Sequence, residues 1–358
     1  MIFNPLFRKS IPFFVLLIAI NTTLLSAQNQ KVDKTSIEPA KLWLDNKGNH
    51  INAHGGGVLF HNGIYYWYGE HKIKGKSEAN FADGGIQCYT SKDLINWTDA
   101  GIVLGVEYNN TNNSDLVYGC LIERPKVVFN PKTRKFLAYF KFYPKGNGYE
   151  VAYVGVATSE SPAGPFRFSH KFLGPSPKGS GDFSMFADDN GDLFHLAVRK
   201  PDKAFVIAKM RDDYMLPIEE YKEVENIEHH TEAPAIVKIN GIYHLLGSGS
   251  TGWKPNVARY YTSTNLYGPW KQETNPCSGL NTVDNLGIDK TWGGQSSYIL
   301  KVNGIENGYV ALFDIWYPDM PIKGRYIWLP IVLKDNKFTI DWLNEWNLDF
   351  FKKGYILK

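Results

Sequence analysis

The pattern of apolar and polar positions repeats five times along the chain. Each copy has an apolar strand, a short turn of Asn, Asp, Gly or Lys, and an alternating strand rich in aromatic residues. The turns stand at spacings of 68, 59, 51 and 63 residues, at Asn62, Asn130, Asp189, Asn240 and Asn303. Asn-Gly and Asp-Asn-Gly sequences supply the positive φ that a tight turn requires, so each copy predicts a β-hairpin.

A further strand pair follows each predicted hairpin. Three copies end in similar phrases, "YTSKDLINWTDAG", "ATSESPAGPFRF" and "YTSTNLYGPWK". One four-stranded sheet cannot cover both of its faces, but radial stacking of several sheets covers them and leaves only short edges. The sequence therefore predicts an all-β fold, a five-bladed β-propeller over residues 42–358. We find no long helical period, and "FTIDWLNEWNLDFF" is expected to contain the strand that closes the ring.

The first residues have the composition of an export signal. Arg8 and Lys9 precede an apolar run of ten residues, Ile11 to Ile20, and a cleavage point follows Ala27. Ten apolar residues are too few to cross a bilayer. We therefore predict a signal peptide over residues 1–27, a polar linker over 28–41, and a periplasmic or extracellular protein that is not membrane-bound after cleavage.

Composition excludes several classes of partner. The formal charge of +3 falls to about +1 once the two basic residues of the signal are removed, so the charge does not favour nucleic acid or anionic lipid. The three cysteines, Cys88, Cys120 and Cys277, show no CxxC spacing and are expected to be buried free thiols. Aromatic residues make up 15% of the chain, which suits both packed β-sheet and carbohydrate binding. A monomer is expected.

Ordered phrases along the chain carry a family resemblance. "SGDFSMFADDNGDLF" and "TEAPAIVKINGIYHLL" resemble two motifs of glycoside hydrolase family 43. The match is closest to the exo-β-1,3-galactanase (galactan 1,3-β-galactosidase) group, through "AHGGG" with "YYWYGEHK", "IERPKVVFNPKTRKF", "SGSTGWKPN", "GGQSSYIL" and "YIWLPI". It covers about residues 42–345. The resemblance implies an exo-acting, inverting glycosidase that removes galactose from β-1,3-galactan, with a polysaccharide or oligosaccharide as its partner.

The resemblance also implies the catalytic residues. Glu232 in "TEAP" matches the general acid, whose pKa must be raised so that it is protonated when the glycosidic oxygen departs. Asp182 in "GDFSMF" matches the carboxylate that raises this pKa and orients the acid. The family's usual base, an Asp in the first blade, is replaced here by "NAHGGG". Gln295 then matches the residue beside the attacking water, with Glu70 and Glu123 as rivals.

A second group of residues is expected to contact the sugar. The resemblance places Glu70 and Glu123 against the sugar hydroxyls and suggests further contacts at Tyr149, Tyr153, Glu225 and Thr251. Three roles stay open for His54: a sugar ligand, a member of a metal site, or a buried hydrogen-bonding histidine. Trp253 and Trp292 are each expected to be either a stacking platform for sugar or a core residue. Arg124 is expected to pair with an acid inside the ring. No cofactor is predicted, because no ligand cluster in the sequence indicates an axial calcium or other metal.

Two other functions are compatible with the sequence. An α-L-arabinofuranosidase or β-xylosidase would keep the mechanism and change the sugar, since one fold hosts several activities. A non-catalytic carbohydrate-binding propeller would account for the missing Asp in the first blade. The pairing of Asp182 with Glu232 argues against the binder, because binding alone needs no acid with a raised pKa.

Overall fold

The computed structural model describes Met1 and residues 33–73, 84–108, 115–218 and 220–352. The chain divides into two compact units, Met1–Lys31 and Val32–Lys358. The predicted signal peptide, apart from Met1, lies outside the described residues. The second unit is a five-bladed β-propeller, which confirms the predicted fold class. Within the described ranges, no helix is long and apolar enough to cross a membrane.

Each of the first four blades is a four-stranded antiparallel sheet. Blade 1 contains β1 (His54–His61), β2 (Ile64–Glu70), β3 (Ile86–Ser91) and β4 (Thr98–Leu104). Blade 2 contains β5 (Leu121–Asn130), β6 (Lys135–Tyr143), β7 (Tyr153–Ser159) and β8 (Arg167–Leu173). Blade 3 contains β9 (Ser180–Ala187), β10 (Leu193–Arg199), β11 (Phe205–Lys209) and β12 (Lys222–Glu223). Blade 4 contains β13 (Thr231–Ile239), β14 (Ile242–Gly249), β15 (Ala258–Ser263) and β16 (Lys271–Glu273).

Blade 5 has five strands and confirms the predicted closing strand. Its strands are β17 (Cys277–Ser278), β18 (Gln295–Lys301), β19 (Tyr309–Ile315), β20 (Arg325–Lys334) and β21 (Lys337–Asp341). The short β17 pairs in parallel with β21 at the outer edge, and β18 is innermost. Helical structure in the described residues is limited to two 3₁₀ turns, Ile288–Gly293 and Pro321–Lys323, and one short α-helix, Asp349–Lys352.

The hydrophobic core lies between neighbouring blades. Every innermost strand contacts the innermost strands of both adjacent blades, so the five sheets form a closed ring. Both faces of a blade are therefore covered, and β6 (KFLAYFKFY) is buried at all but its first residue. Outer strands such as β8 contain only exposed and partly buried positions. This explains why the inner strands read as continuous apolar and aromatic runs.

The same irregularity occurs where three inner strands start. The pairing register shifts between His54 and Gly57 in β1, between Glu123 and Lys126 in β5, and between Glu232 and Ala235 in β13. The residue inside each bulge has positive φ: +63° at Gly55, +51° at Arg124 and +56° at Ala233. A bulge re-aims the side chain beside it. It thus sets the direction of the strand-start residues at the centre of the ring.

The segments outside the sheets pack against the propeller. Residues 33–41, the described part of the predicted linker, include the buried Ile37 and Ala40. Their backbone N–H groups donate to the carbonyls of Trp346 and Tyr326, at 2.7 and 2.8 Å. This part of the segment is therefore joined to the propeller rather than a free spacer. All three cysteines are buried free thiols, as predicted.

Candidate active site

A cavity of about 250 Å³ opens at the end of the ring where the inner strands start. Seven of its lining residues were predicted from the sequence: Glu70, Glu123, Tyr149, Asp182, Glu232, Trp253 and Gln295. Arg124, Lys141, Gly252 and Trp316 complete the lining. The charged wall residues come from the first two strands of different blades. The propeller ring therefore brings together side chains up to 246 positions apart in the sequence (Glu70 and Trp316).

Asp182, in β9, lies between two cations. Its Oδ2 binds Arg124 Nε at 2.9 Å, and its Oδ1 binds Lys141 Nζ at 3.0 Å. Oδ2 also accepts the backbone N–H of Ala233 at 3.1 Å, which places Asp182 beside Glu232. Burial opposes ionisation of this carboxyl, but the charges of Arg124 and Lys141 outweigh it and hold its pKa below the ordinary value. Asp182 is therefore a fixed negative charge.

Glu232, in contrast to Asp182, has a raised pKa. Burial raises the pKa first, and the charge of Asp182 raises it further. The Ser250 hydroxyl donates to Oε2 at 2.7 Å, and the Gln295 amide donates to Oε1 at 3.2 Å. The Ser250 contact and the cations Arg124 and Lys141 lower the pKa without reversing the shift. A partly buried carboxyl that keeps its proton is suited to general acid catalysis.

Gln295 has a fixed orientation. Its Oε1 accepts from Arg124 Nη2 at 2.5 Å and from Trp316 Nε1 at 3.0 Å. Because guanidinium and indole N–H groups only donate, the amide oxygen must face them. The amide nitrogen then faces Glu232 Oε1 and the Ser248 hydroxyl, to which it donates at 2.9 Å. The Gln295 amide therefore connects the Arg124 guanidinium to the Glu232 carboxyl.

Glu70 and Glu123 have different environments. Glu70, at the end of β2, accepts the Arg124 backbone N–H at 2.7 Å through Oε1 and forms an ion pair with Lys72 through Oε2. Glu123 forms an ion pair with Lys141 at 2.8 Å through Oε2. Both oxygens of Glu70 are thus already bound by groups of the protein itself. Glu123 presents its carboxylate to the cavity beside a shared lysine.

The region beneath the cavity holds a buried lysine. Lys126 is buried, and its Nζ donates to the carbonyl of Gly55 at 2.9 Å and to the carbonyls of Arg124 and Pro125 at 3.4 Å. Burial and then the charge of Arg124 lower the pKa of Lys126 to about 7. No three His, Cys, Asp or Glu side chains of the described residues converge in a metal-binding geometry. The absence of a cofactor stays a prediction.

Five residues predicted to contact sugar do not line the cavity. Trp292 is fully buried in the core of blade 5, so it is a core residue and not a stacking platform. His54 is also fully buried, stacked on Tyr326 with ring centroids 5.3 Å apart, which matches the buried-histidine alternative. Tyr153 packs against the core between blades 1 and 2. Glu225 is exposed outside the cavity, and Thr251 donates its hydroxyl to the Lys254 carbonyl at 2.5 Å.

The glycines of "NAHGGG" serve packing between strands. A Cβ on Gly56 would lie 1.6 Å from the carbonyl oxygen of Tyr68, so only glycine lets β1 approach β2 at this point. Asn52 binds the backbone of Lys72, with its amide donating at 2.9 Å and its carbonyl accepting at 3.0 Å. The first blade therefore supplies Glu70 to the cavity, and Asn52 supports the backbone beside it.

Sequence reasoning missed Lys141 and Trp316 as site residues. Lys141 lies opposite Glu123 in the β5–β6 register, so the strand pairing is the signal that would have identified it. Trp316 directly follows β19, donates to Gln295, and contacts Trp253 edge-to-face with ring centroids 5.7 Å apart. The Arg124 guanidinium carbon lies 5.7 Å from the centroid of the Trp316 ring. Arg124 pairs with an acid inside the ring, as the sequence predicted.

Comparison with known proteins places the chain in a family. The model of Glycosyl hydrolases family 43 matches residues 57–291. A solved family 43 β-1,3-galactosidase is 34% identical over 89% of this chain and 65% of its own, with a TM-score of 0.80. A second, solved with galactodeoxynojirimycin, is 37% identical over 87% of this chain and 100% of its own, with a TM-score of 0.79.

A fungal structure shows the same similarity. An exo-β-1,3-galactanase from Phanerochaete chrysosporium, solved with galactose, is 29% identical over 89% of this chain and 70% of its own, with a TM-score of 0.75. The chain thus spans just under two thirds of the first β-1,3-galactosidase and the full length of the second. No curated protein sequence matches the chain. The family model covers more than half of the chain, so the chain belongs to family 43 of the glycosyl hydrolases.

Proposed function

We propose that this glycosidase is an exo-acting, inverting β-1,3-galactosidase that releases galactose from the non-reducing end of β-1,3-galactan. The observation that carries the proposal is the pairing of Glu232, an acid with a raised pKa, with the oriented amide of Gln295 in one cavity. The names of the similar solved structures, β-1,3-galactosidase and exo-β-1,3-galactanase, support galactan as the substrate.

Glu232 acts as the general acid in this proposal. It donates its proton to the glycosidic oxygen as the bond to the leaving sugar breaks. Asp182 stays ionised between Arg124 and Lys141, and its charge helps keep Glu232 protonated until that step. A water molecule attacks from the opposite face of the galactose ring. Inversion follows because a single displacement occurs at the anomeric carbon.

In this proposal Gln295 orients the attacking water once the substrate replaces its long, 3.2 Å contact with Glu232. A carboxylate then receives the proton of that water. A neutral amide is a weak proton acceptor, and the amide oxygen already accepts two hydrogen bonds. Of the two rival carboxylates, Glu70 is held by Lys72 and by a backbone N–H. Glu123 makes one ion pair among the described residues, to Lys141 through Oε2. Glu123 is therefore better placed than Glu70 to share the proton.

The shape of the cavity supports exo action. A volume of about 250 Å³ is below the usual ~300–1,000 Å³ of pockets for drug-sized ligands, so it suits one sugar ring. Tyr149 and Trp253 are 39% and 41% exposed at its mouth, and their rings can cover the C–H faces of the next sugar units. One enclosed subsite with an open mouth favours release of a terminal monosaccharide.

The test is hydrolysis of defined oligosaccharides followed by proton NMR. We expect β-1,3-galacto-oligosaccharides to release galactose from the non-reducing end, first as the α-anomer. Arabinan and xylan oligosaccharides are expected to remain intact, and the Glu232→Gln variant serves as the matched inactive control. Release of arabinose or xylose would reassign the substrate. Binding without release by the wild-type protein would reassign the chain as a carbohydrate-binding propeller.

Export and a monomeric state are part of the same proposal. The apolar run from Ile11 to Ile20 supports export, since an enzyme acting on an extracellular polysaccharide has to reach it. Comparing the N-terminus of the mature protein with the cleavage point after Ala27 tests export. Light scattering of the purified protein tests the monomeric state.

A further inference from the structure

The cavity rim on the side of blade 3 carries unpaired positive charge. Lys178 lies on the loop before β9, and Lys200 and Lys203 lie on the loop between β10 and β11. Both loops are at the end of the blade where the inner strands start, which is also where the cavity opens. None of these three lysines forms an ion pair with a carboxylate in the part of the chain that the structure describes.

Lys200 connects this rim to the cavity. Its Nζ donates to the backbone carbonyl of Tyr149 at 2.7 Å and lies 5.4 Å from the ring centroid of Tyr143. Nζ of Lys141 also lies 5.4 Å from that centroid. Lys141 and Tyr149 both line the cavity. The ammonium group of Lys200 is therefore at the cavity edge, with N–H bonds left over for a ligand.

The acids near the rim are matched by other cations. Asp202 and Glu223 both bind Arg199, at 2.5 and 2.6 Å. Glu228 lies 3.4 Å from Arg259. Inside the cavity, Lys141 is shared by Glu123 and Asp182. The arginines and Lys141 thus form the ion pairs with the nearby carboxylates. Asp182 and Glu123 act on Lys203 and Lys200 only through their charge, without an ion pair among the described residues.

Electrostatic repulsion is present at the rim in the absence of a ligand. Burial, followed by the charges of Lys141, Lys203 and Lys178, lowers the pKa of Lys200 to about 8, with Glu123 opposing the shift. Like charges held together beside a binding cavity create a field that attracts an anion. A bound anion would relieve the repulsion and keep Lys200 protonated. Galactose is neutral, so the sugar in the cavity supplies no partner for this charge.

We propose that the rim formed by Lys178, Lys200 and Lys203 binds an anionic substituent of the saccharide beside the galactose in the cavity. The substituent is a carboxylate of a uronic acid or a sulfate ester, since ammonium groups bind both as point charges. This inference rests on the proposed function and narrows its substrate class to acidic, substituted galactan. Tyr149, which Lys200 holds through its carbonyl, contributes the adjacent ring surface.

The test compares three substrates that share the β-1,3-galactobiose unit. One is neutral, one carries a glucuronyl substituent, and one carries a sulfate ester. We expect the wild type to show a kcat/KM roughly five- to tenfold higher for at least one acidic substrate than for the neutral one. The Lys200→Gln/Lys203→Gln double variant should reduce this ratio to about one. Lys334→Gln, at an exposed lysine on β20 far from the rim, is the matched control and should retain it.

Salt dependence and a binding measurement separate the outcomes. Raising the ionic strength should weaken the preference, because an exposed charge pair is screened. A preference for the carboxylate alone or the sulfate alone supports the inference and identifies the group. A ratio near one in the wild type overturns it, even if galactose release supports the proposed function. If no substrate is cleaved, calorimetry with the same three ligands still tests the rim, and equal affinities would overturn the inference.

Discussion

Replacement of Asp182 by Asn tests the charge arrangement at the centre of the propeller. The substitution preserves the volume of the side chain and an acceptor for the backbone N–H of Ala233. It removes the negative charge that binds Arg124 at 2.9 Å and Lys141 at 3.0 Å. The buried cations Arg124 and Lys141 then each lose a negatively charged partner. Glu232 loses the neighbouring charge that helps raise its pKa. Stability and catalysis should therefore both change.

The size of the stability effect follows from burial. Asp182 is 8% exposed, and breaking a buried ion pair costs about 3–5 kcal/mol, so we expect Asp182→Asn to lose about 3 kcal/mol. The folded-state pKa of Asp182 is depressed. Its contribution is thus present above the unfolded pKa of about 3.9 and is lost as pH falls through the folded pKa. The difference between wild type and variant should be full at pH 7 and should shrink below about pH 4.

The catalytic effect has a defined direction in pH. Without Asp182, burial still raises the pKa of Glu232, but the raising effect of the Asp182 charge is lost. The cations Arg124 and Lys141 continue to lower this pKa. The alkaline limb of the kcat/KM profile should therefore move to lower pH, and kcat at pH 7 should fall by about 10²–10³-fold.

Urea unfolding followed by tryptophan fluorescence measures the stability of Asp182→Asn, and initial rates on β-1,3-galactobiose measure its pH profile. An alkaline limb that stays in place would refute the electrostatic role of Asp182. A stability difference that grows on acidification would refute the sign of its pKa shift. Asp189→Asn, at the exposed hairpin turn of blade 3, is the control for loss of one acidic charge.

Two further predictions concern the acid and the amide. Glu232→Gln should lower kcat by about 10²–10⁴-fold while galactose affinity stays near that of the wild type, because Gln keeps the shape and loses the proton; a wild-type kcat would exclude Glu232 as the acid. Trp316→Phe removes one donor to Gln295 Oε1 and should lower kcat by about tenfold. This loss should be smaller than that of Gln295→Ala, which removes the whole amide, and equal losses would contradict a supporting role for Trp316. Trp342→Phe is the control for the loss of an indole.

Local turn chemistry made the fold predictable. The five predicted turns coincide with the β1–β2, β5–β6, β9–β10, β13–β14 and β18–β19 hairpins. A positive-φ Asn or Gly occupies most of them, as at Asn62 and Asn240. Because each hairpin starts a blade, five turns predict five blades and bring the strand starts to one axis. The ring of blades is thus compatible with the pairing of Asp182 and Glu232 that the family resemblance implied.

Side-chain direction could not be predicted in the same way. Thr291 and Trp292 both have positive φ, +46° and +57°, in a loop that turns the Trp292 ring into the core. No local sequence signal predicts that backbone for two bulky residues. Lys141 lies in β6 among buried apolar and aromatic residues, and its role depends on its pairing with Glu123. Trp316 lies in a loop, where its contact with Gln295 depends on tertiary packing.

The repeated bulge supplies the same kind of backbone donor to three carboxyls. In three blades, the N–H of the positive-φ residue binds a carboxylate of the preceding blade: Gly55 binds Asp314, Arg124 binds Glu70 and Ala233 binds Asp182.

An N–H donor stabilises the ionised form of its acceptor, so these three carboxyls are fixed as supports, although burial still raises the pKa of Asp314 to about 6. Glu232 receives no backbone N–H among the described residues; a hydroxyl and an amide side chain bind it instead. The same bulge that aims Glu232 at the cavity directs its neighbour's N–H to Asp182, and the charge of Asp182 then joins burial in raising the pKa of Glu232.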